Sequence, residues 1–265
     1  GNQAEQHLRL QDIPLLKNRF VLNRMDSVVD DLNHLDILHA ARRLWKRRLA
    51  SCDLGNLEYA ILGQERIADI PGQLIPQAYF EYIRKRKALI LRDVLEHNFH
   101  DIVNMILLTM YLGAVVMEPL KYLDNDEDLY SLARFMYQNN HLKETKLLLS
   151  AVLNRSKNKL IQKEALFLLS MTHKKEGDVT TSRAFFEKLL LTQKDHPEAL
   201  EELAKYYEHH EKNFPAALEL IKEGLEYNDM MKQLGKPSLL DPFRDDLHYR
   251  RMRLERKLER LNQSK

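Results

Sequence analysis

The amino-acid sequence predicts a mostly α-helical protein whose second half is an array of helical hairpins. Apolar residues recur with the period of an α-helix through most of the chain. Glycine and proline, which interrupt helices, number only 8 each among 265 residues. Beyond residue 127, similar positions return about every 34 to 37 residues, a spacing typical of helical-hairpin repeats. Strand candidates are few by comparison.

The composition is typical of a globular protein with a sizeable core. Hydrophobic residues make up 44% of the chain and charged residues 30%. The formal net charge is only +2, so attraction to nucleic acid has to come from local patches. Cys52 is the only cysteine, which excludes an intrachain disulfide framework and a multi-cysteine zinc site. We therefore expect a reducing, cytoplasmic location, with Cys52 as a small buried apolar residue.

The most apolar run covers residues 102–117. It is shorter than the about 20 residues that a membrane-spanning helix needs, and it contains Asn104 and Thr109. We expect a buried core helix here and no membrane as a partner. The N-terminal residues GNQAEQHLRLQ contain no charged segment followed by an apolar core, so they predict no secretory signal.

The first part of the chain combines short helices and loops with one strand candidate. Residues 34–38 show a brief apolar alternation that predicts a strand. An acidic, turn-forming stretch at residues 124–128 then follows Pro119. We place the domain boundary there, so that residues 1–120 form the first domain and residues 127–265 the second.

Three units of the second domain align in register. The aligned sets are Leu132-Ala133, Leu169-Ser170 and Leu203-Ala204, then Met136, His173 and Tyr207, then Thr145, Ser182 and Ala217, and finally Leu149, Phe186 and Ile221. Small residues at two of these positions let paired helices approach closely, while larger apolar residues fill the space between them. The pattern predicts a tetratricopeptide-like array, with a plain helical bundle as the alternative. Such an array is a possible binding surface for a protein partner, which the repeats do not identify.

The C-terminal segment predicts a helix that caps this array. Leu247, Leu254, Leu258 and Leu261 share one face, and basic residues occupy the opposite face. Terminal repeats need a polar outer surface, so a solvating cap is the favoured role. Binding of nucleic acid or of a partner by the arginines is the alternative.

The stretch LEHNFHDIV, residues 95–103, places unusual polar groups before an apolar helix. His97 and Asp101 are four residues apart and share a helical face, with Asn98 beside them. A carboxylate suits Mg²⁺ or Mn²⁺, and a histidine is able to take a proton from metal-bound water. The alternative is that Asp101 caps or lies near a helix N-terminus, with His97 as ordinary polar surface. Spacing alone favours this alternative.

The wider sequence resembles the C-terminal half of the YprB-type ribonuclease H-like domain, over about residues 10 to 118. The matching residues, in order, are His34-x-Asp36 and His39, Ala41-Arg42-Arg43-Leu44-Trp45, Ser51-Cys52-x-Leu54, Glu58, Leu62-Gly63, Arg66, Asp69-Ile70-Pro71-Gly72, Ile75-Pro76 and His97-Asn98-x-x-Asp101. This is a bacterial family of predicted metal-dependent 3'–5' exonucleases, in which tetratricopeptide-like repeats commonly follow the nuclease domain. The resemblance implies a partial α/β domain that lacks its first strands, followed by the helical array.

The resemblance also implies site residues and a cofactor. Four carboxylates of this superfamily bind two Mg²⁺ or Mn²⁺ ions, which act on a phosphodiester at the single-stranded 3' end of DNA or RNA. Asp101 matches the fourth carboxylate, His97 the general base and Asp12 the third carboxylate, although the residues before Asp12 depart from the family pattern. The first pair is an Asp-x-Glu on an apolar strand, and none precedes Asp12.

The missing pair leads us to expect a fragment, a processed form or a diverged relative that hydrolyses very slowly. A second hypothesis is therefore a non-catalytic nucleic-acid-binding or protein-interaction scaffold that acts through the repeats.

Further residues have predicted supporting roles. Arg42, Arg43, Lys46 and Arg47 are nucleic-acid-binding candidates, and a second basic cluster covers residues 84–92. Trp45 lies among them, but its helical position favours a core role over base stacking. Asn98 and Asp36 are expected beside the metal ligands without binding metal. Helix capping is the favoured role for Asp36, and a zinc site with His34 and His39 is the least favoured.

Overall fold

The structure, a computed structural model, describes residues 14–27, 35–66 and 69–263. Most of these residues are helical, and no strand occurs among them, which confirms the mostly helical prediction. The strand predicted at residues 34–38 is wrong for its described part. Leu35 and Asp36 are irregular, and Ile37 and Leu38 already belong to a helix. His34 lies outside the described residues.

The chain divides into two compact units, Gly1–Ile37 and Leu38–Lys265. In the first unit, residues 14–22 form helix α1, whose side chains are mostly exposed. Its C-terminal end is closed by Asn23, whose side-chain amide donates to the carbonyl of Arg19 at 2.7 Å.

The first half of the larger unit consists of helices of very unequal length. They are α2 (Ile37–Trp45), α3 (Leu54–Leu57), a π-helical turn (Glu58–Leu62), a 3₁₀ turn (Gly72–Leu74), α4 (Ile75–Lys85), a second 3₁₀ turn (Ala88–Leu91), α5 (Arg92–Met117) and α6 (Pro119–Tyr122). Asp53 caps α3 by accepting the N–H of Asn56 at 2.9 Å. Gly63 ends the π-helical turn with φ 67°, a left-handed conformation that suits glycine.

A small core joins α2 to α5. Trp45 is fully buried, and its ring lies 6.2 Å from that of Tyr111, which confirms the prediction of a core role. Ala41 and Leu44 of α2 are buried, as are Leu108 and Val115 of α5. Cys52 is buried nearby, as predicted, and burial raises the pKa of its thiol.

The rest of α5 is exposed or only half-buried, so the expectation of a buried core helix over residues 102–117 is wrong for a large part of that run. Met110 is 66% exposed and Ile106 is 55% exposed. The buried residues of α5 are Asn104, Leu108 and Val115. The segment Ala88–Met117 is long and apolar enough to cross a membrane, by length and composition only. A single helix of this kind is weak evidence for a membrane span. The predictions of no membrane partner and of a cytoplasmic location stay predictions.

Seven further helices complete the larger unit. They are α7 (Asp126–Gln138), α8 (Leu142–Arg155), α9 (Lys159–Lys175), α10 (Val179–Thr192), α11 (Pro197–His209), α12 (Phe214–Gln233) and α13 (Arg244–Gln263), with a 3₁₀ turn (Asp241–Phe243) before the last. Each packs against its neighbour in the chain. The small residues aligned in the sequence are buried, namely Ala133, Ser170 and Ala204, and Thr145, Ser182 and Ala217. Their burial supports the three helix pairs, whereas the tetratricopeptide-like arrangement stays a prediction.

The final helix α13 docks on α11 and α12 through two leucines and one buried carboxylate. Leu247 and Leu254 are buried, whereas Leu261 is 45% exposed. The side chain of Glu208 is 0% exposed and forms ion pairs with Arg253 and Lys257 of α13. The predicted leucine face is therefore only partly buried, and charge contributes to docking.

Arginines of α2 and its C-terminal extension contact the repeat helices. Arg48 pairs with the buried Asp128 of α7 at 2.8 Å, and Arg47 pairs with Glu164 of α9 at 2.6 Å. Both contacts cross the predicted boundary at residues 120–127, and residues 38–265 form one compact unit. The two-domain division stays a prediction of the sequence.

Candidate active site

Five polar side chains from three segments of the chain meet near the start of α5. They are Glu58, Arg66, Asp69, His97 and Asp101, called here the Arg66 cluster. Glu58 opens the π-helical turn and is 0% exposed. The left-handed Gly63 ends that turn, and the irregular segment that follows returns Arg66 to the carboxylate of Glu58.

The guanidinium of Arg66 lies at the centre of the cluster. Its Nε donates to Oε2 of Glu58 at 2.6 Å, and its Nη2 donates to Oε1 of the same carboxylate. Nη2 also donates to Oδ1 of Asp101 at 2.5 Å, and Nη1 donates to Oδ2 of Asp69 at 2.8 Å. A guanidinium presents five N–H donors in a fixed fork, and this one binds three carboxylates with them.

The helical spacing of α5 brings His97 and Asp101 to the same side of the helix, as predicted. Nδ1 of His97 lies 2.8 and 2.9 Å from the two carboxylate oxygens of Asp69. Nε2 of His97 lies 3.5 Å from Oδ2 of Asp101. Asp69 thus holds one ring nitrogen, and the other nitrogen faces Asp101.

The short contacts to Asp69 favour the tautomer with the proton on Nδ1 of His97. Nη1 of Arg66 also lies 3.2 Å from this nitrogen, and both atoms would be donors in that tautomer. The two contacts to Asp69 are shorter, and an N–H directed at a carboxylate is the stronger interaction. Nε2 is then the nitrogen with the free lone pair.

The electrostatics follow from this packing. Hydrogen bonds from Arg66 to Glu58 raise the pKa of Arg66, against the opposing effect of its own burial. Burial favours protonation of Asp69, but the hydrogen bonds from Arg66 and His97 outweigh it and lower the pKa of Asp69. Asp69 is therefore a carboxylate anion at neutral pH, and Arg66 a permanent cation.

The donor set of the cluster has the right chemistry for a hard divalent cation, but its arrangement does not fit one. Three carboxylates and a histidine would suit Mg²⁺ or Mn²⁺. Arg66 instead takes the position between the carboxylates, at 2.5 to 2.8 Å from Asp101 and Asp69. Among the described residues, no group of three or more His, Cys, Asp or Glu side chains is arranged to hold a metal ion.

The structure overturns the capping alternative for Asp101. Helix α5 begins at Arg92 and is preceded by a 3₁₀ turn, so Asp101 lies well inside the helix and not at its first turn. Its carboxylate accepts from Arg66 and not from a helix N-terminus. Likewise, His97 is half-buried in the cluster and is not plain polar surface.

Of the other predicted site residues, none joins this cluster in the described structure. Asp12 lies outside the described residues. Asn98 is exposed on α5. Asp36 directly precedes Ile37, where α2 begins, which is the position of a helix cap. The roles predicted for Asp12, Asn98 and Asp36 beside a metal stay predictions.

Sequence reasoning missed three members of the cluster. Glu58, Arg66 and Asp69 were part of the family resemblance but received no role, because nothing in their local spacing joins them to residues 97–101. A usable signal was present. Two acidic residues flank one arginine in a stretch of irregular, turn-rich sequence, and charged residues in such positions need partners if they are buried.

The basic residues of α2 and of the turn after it are largely engaged within the chain. The guanidinium of Arg43 lies over the ring of Phe135 at 5.3 Å, and that of Arg47 over Tyr130 at 5.0 Å. Lys46 is exposed. The nucleic-acid role predicted for Arg42, Arg43, Lys46 and Arg47 stays a prediction, with competing contacts for Arg43 and Arg47.

A second group of cations is more accessible. Arg84, Arg86 and Lys87, called here the α4 basic patch, are exposed at the C-terminal end of α4. Their side chains make no ion pair within the part of the chain that the structure describes. Tyr79 and Phe80 on the same helix are 53% and 68% exposed. Cations beside exposed aromatic rings are the combination that binds single-stranded nucleic acid.

Comparison with known proteins adds a family match. Residues 7–113 match the RNase_H_2 model of the RNase H superfamily, a range that includes the whole Arg66 cluster. The chain is also 30% identical over 250 residues to a Bacillus subtilis (strain 168) protein with the name uncharacterized protein YprB. That alignment covers 93% of this chain, which spans 58% of the length of the relative.

Proposed function

Because residues 7–113 belong to the RNase H superfamily as a YprB-type ribonuclease H-like domain, we propose that the chain is part of a nucleic-acid-processing protein of the nuclease type. One observation carries the proposal: acidic residues and a histidine from separate segments converge within the family-matched range. The finer proposal is a Mg²⁺- or Mn²⁺-dependent 3'–5' exonuclease that acts on the single-stranded 3' end of DNA or RNA.

The proposed roles follow the geometry of the cluster. Asp101 would contribute a carboxylate to the metal site of the family. His97 would accept a proton through Nε2, because Asp69 holds Nδ1 at 2.8 Å. Arg66 lies between the carboxylates that would bind a metal ion. For this reason, we expect this chain to hydrolyse nucleic acid slowly.

Single-stranded nucleic acid is proposed to bind at the α4 basic patch. Arg84, Arg86 and Lys87 would contact phosphates, with Tyr79 and Phe80 as stacking surfaces. The chain from Gly72, which lines the Arg66 cluster, leads directly into α4. The patch that would bind the strand is therefore only one helix further along the chain than the Arg66 cluster.

Fluorescence anisotropy with labelled single-stranded DNA and RNA tests the binding step. Reversing the charge of Arg84, Arg86 and Lys87 to Glu should weaken binding at least tenfold and flatten its salt dependence by about 2 units of log–log slope. The control reverses Lys157, Lys159 and Lys188, which are exposed in the turn after α8, on α9 and on α10. Equal loss in both triple variants would show that only net charge matters and would remove the patch from the proposal.

Digestion of a strand labelled at its 5' end tests the chemical step. In Mn²⁺, the unmodified chain should shorten the strand slowly from the 3' end, and Asp101→Asn should abolish the shortening. Asp93→Asn, an exposed aspartate on the same helix, is the control. Digestion by Asp101→Asn at the rate of the unmodified chain would contradict the nuclease proposal.

A non-catalytic scaffold is the second candidate function. The observation that favours it is the neutralising position of Arg66 among the three carboxylates of the cluster. The helical repeats would then bind a protein partner, and the α4 basic patch would hold nucleic acid without cleavage. Strand binding with no digestion in either Mn²⁺ or Mg²⁺ is the result that this candidate expects.

A further inference from the structure

The Arg66 cluster contains its own cation. Three carboxylates surround one guanidinium, and each accepts at least one hydrogen bond from it. Glu58 is the deepest of the three, and it binds Arg66 through both oxygens. An arginine with this many charged hydrogen bonds is held in one geometry, because a planar fork loses little further freedom with each added bond.

We propose that Arg66 is the resident cation of this cluster and closes it to a divalent metal ion until its guanidinium leaves. This inference rests on the proposed function, because it concerns control of the same site. The poor fit between the Arg66 cluster and a metal ion is then a feature of the protein itself.

The available oxygen atoms support this closure. Arg66 engages both oxygens of Glu58, Oδ2 of Asp69 and Oδ1 of Asp101. Oδ1 of Asp69 is held by Nδ1 of His97 at 2.9 Å. Among contacts with the residues that the structure describes, Oδ2 of Asp101 is thus the one carboxylate oxygen of the cluster without a contact under 3 Å. A divalent cation needs several oxygen ligands at about 2.0–2.6 Å, so a single oxygen is not a site.

Charge does not by itself exclude a metal. With His97 neutral, three carboxylates and one guanidinium leave a net negative cluster, which attracts cations. The obstacle is therefore the geometry of Arg66, whose removal would free both oxygens of Glu58 and Oδ1 of Asp101 and would leave Asp69 in contact with His97. Substitution of Arg66 alone therefore tests the closure.

The backbone of Arg66 permits such a movement. Residues 63–66 are irregular, and no helical hydrogen bond has to break if the side chain of Arg66 turns outward. The side chain is already 18% exposed, and it lines an open depression together with Asp69, His97 and Asp101. Nucleic-acid phosphate is a chemically suitable acceptor for the released guanidinium.

Titration with Mn²⁺ alone, in the absence of nucleic acid, tests the closure. Binding is followed by the loss of the free Mn²⁺ spin-resonance signal and by the rise in melting temperature on adding metal. Arg66→Gln should bind Mn²⁺ at least tenfold more tightly than the unmodified chain. Adding Asp101→Asn to Arg66→Gln should remove the gain.

A second variant protects the test against misfolding. Arg66→Gln leaves the buried Glu58 without its cation, whereas Glu58→Gln combined with Arg66→Gln removes both charges and keeps Asp69, His97 and Asp101. Circular dichroism of each variant checks that the helices persist. The double variant should show the same gain in Mn²⁺ affinity.

Two outcomes would overturn the proposal. Binding by the unmodified chain as tight as that of the variants, and sensitive to Asp101→Asn, would show that Arg66 does not obstruct a metal. No binding in any folded variant would show that the carboxylates do not form a metal site even without Arg66. Neither outcome depends on whether the chain binds or digests nucleic acid, so failure here is separable from failure of the proposed function.

Discussion

At the scale of single residues, replacing Arg66 leaves a buried charge without its partner, whereas replacing Glu58 does not. Glu58 is 0% exposed, and Arg66 is its cation. Arg66 by contrast keeps Asp69 and Asp101 if Glu58 is neutralised. A buried charge without its partner is far more costly than a partly exposed charge that keeps other partners.

We therefore predict that Arg66→Gln destabilises the chain by about 3–5 kcal/mol and Glu58→Gln by only about 1–2 kcal/mol. The double variant Glu58→Gln, Arg66→Gln should be more stable than Arg66→Gln alone, because no buried charge remains. Urea denaturation followed by circular dichroism measures all three. A double variant less stable than Arg66→Gln would show that the unpaired charge of Glu58 is not the main cost of losing Arg66.

His196 at the start of α11 is the residue from which we expect pH-dependent stability. Burial lowers the pKa of His196, although the nearby carboxylates of Glu198 and Asp195 act in the opposite direction and Lys163 adds to the lowering. Nδ1 accepts the N–H of Ala199 at 3.3 Å, which requires an unprotonated nitrogen. The folded protein thus prefers neutral histidine more strongly than the unfolded chain does.

The sign of the effect follows from proton linkage. The unfolded histidine titrates near pH 6.5, about its ordinary value, and the folded one titrates lower, so below that pH the unfolded state binds more protons. The free energy of unfolding should fall between about pH 7.5 and about pH 5.5. His196→Asn, which keeps a capping side chain, should lack this component, whereas His210→Asn at the exposed end of α11 should retain it. Urea denaturation at the two pH values measures the difference, and identical pH profiles for His196→Asn and the unmodified chain would contradict the assignment.

The site residues show how far single-residue prediction reaches. His97 and Asp101 were predicted together because helical spacing is a local property of the sequence. Glu58 and Asp69 join them only through Arg66, whose contact with Asp101 spans 35 positions. No local period encodes such a contact, because the irregular chain around Gly63 decides where Arg66 points.

At the scale of helices, the sequence predicts where a helix occurs better than it predicts which of its residues are buried. The period of α5 was correctly identified as helical, but its apolar content suggested a core position. Leu108 is buried and Met110 is 66% exposed on the same helix. Apolarity shows that a face can be covered, and only the packing of the other elements shows which face is covered.

Helix α13 gives the prediction that belongs to this scale. Its docking depends on Glu208 of α11, whose burial favours protonation but whose contacts with Lys257 and Arg253 lower its pKa overall. Glu208→Gln should destabilise the chain by about 2 kcal/mol near neutral pH, the scale of lost charged hydrogen bonds. Because a lowered carboxyl pKa stabilises the fold above the ordinary value near pH 4.3, the difference should shrink as the pH falls below about 4.

Hydrogen exchange and denaturation measure this effect together. Glu208→Gln should speed the exchange of amides in α13 and leave the exchange of amides in α7 and α8 nearly unchanged, because only the docked helix loses contacts. Glu259→Gln, an exposed glutamate on α13 itself, is the control. Uniformly faster exchange along the chain would mean that Glu208 stabilises the whole unit and not the final helix in particular.

At the scale of the whole molecule, contacts from the turn after α2 join the first part of the chain to the later helices. A turn-rich acidic stretch predicted a boundary at residues 120–127, and such signals report local backbone preference alone. The side chains of Arg47 and Arg48 cross that position to reach Glu164 and Asp128. Pairing between distant residues of this kind is absent from turn statistics, which is why the sequence could not predict it.

Coupled unfolding of the two segments is the consequence. Trp45, the only tryptophan, reports on α2, and circular dichroism reports mainly on the repeat helices. Both signals should change at the same urea concentration, as in a two-state transition. Burial raises the pKa of Asp128 despite the opposing effect of Arg48, so neutralising Asp128 costs little, whereas leaving it unpaired costs more. Arg48→Gln should thus lower the free energy of unfolding by about 1–3 kcal/mol and move both transitions together to lower urea concentration. Asp128→Asn should have a much smaller effect.

Lys46→Gln, an exposed neighbour on the same stretch, should leave both transitions unchanged. If Arg48→Gln instead moved the fluorescence transition and left the dichroism transition in place, residues 38–120 and the repeats would unfold separately. The domain boundary of the sequence would then describe the energetics better than the contacts do. Coincident shifts would mean that the buried carboxylate of Asp128 on α7 joins residues 38–120 to the helices that follow, so that residues 38–265 unfold as a single cooperative unit.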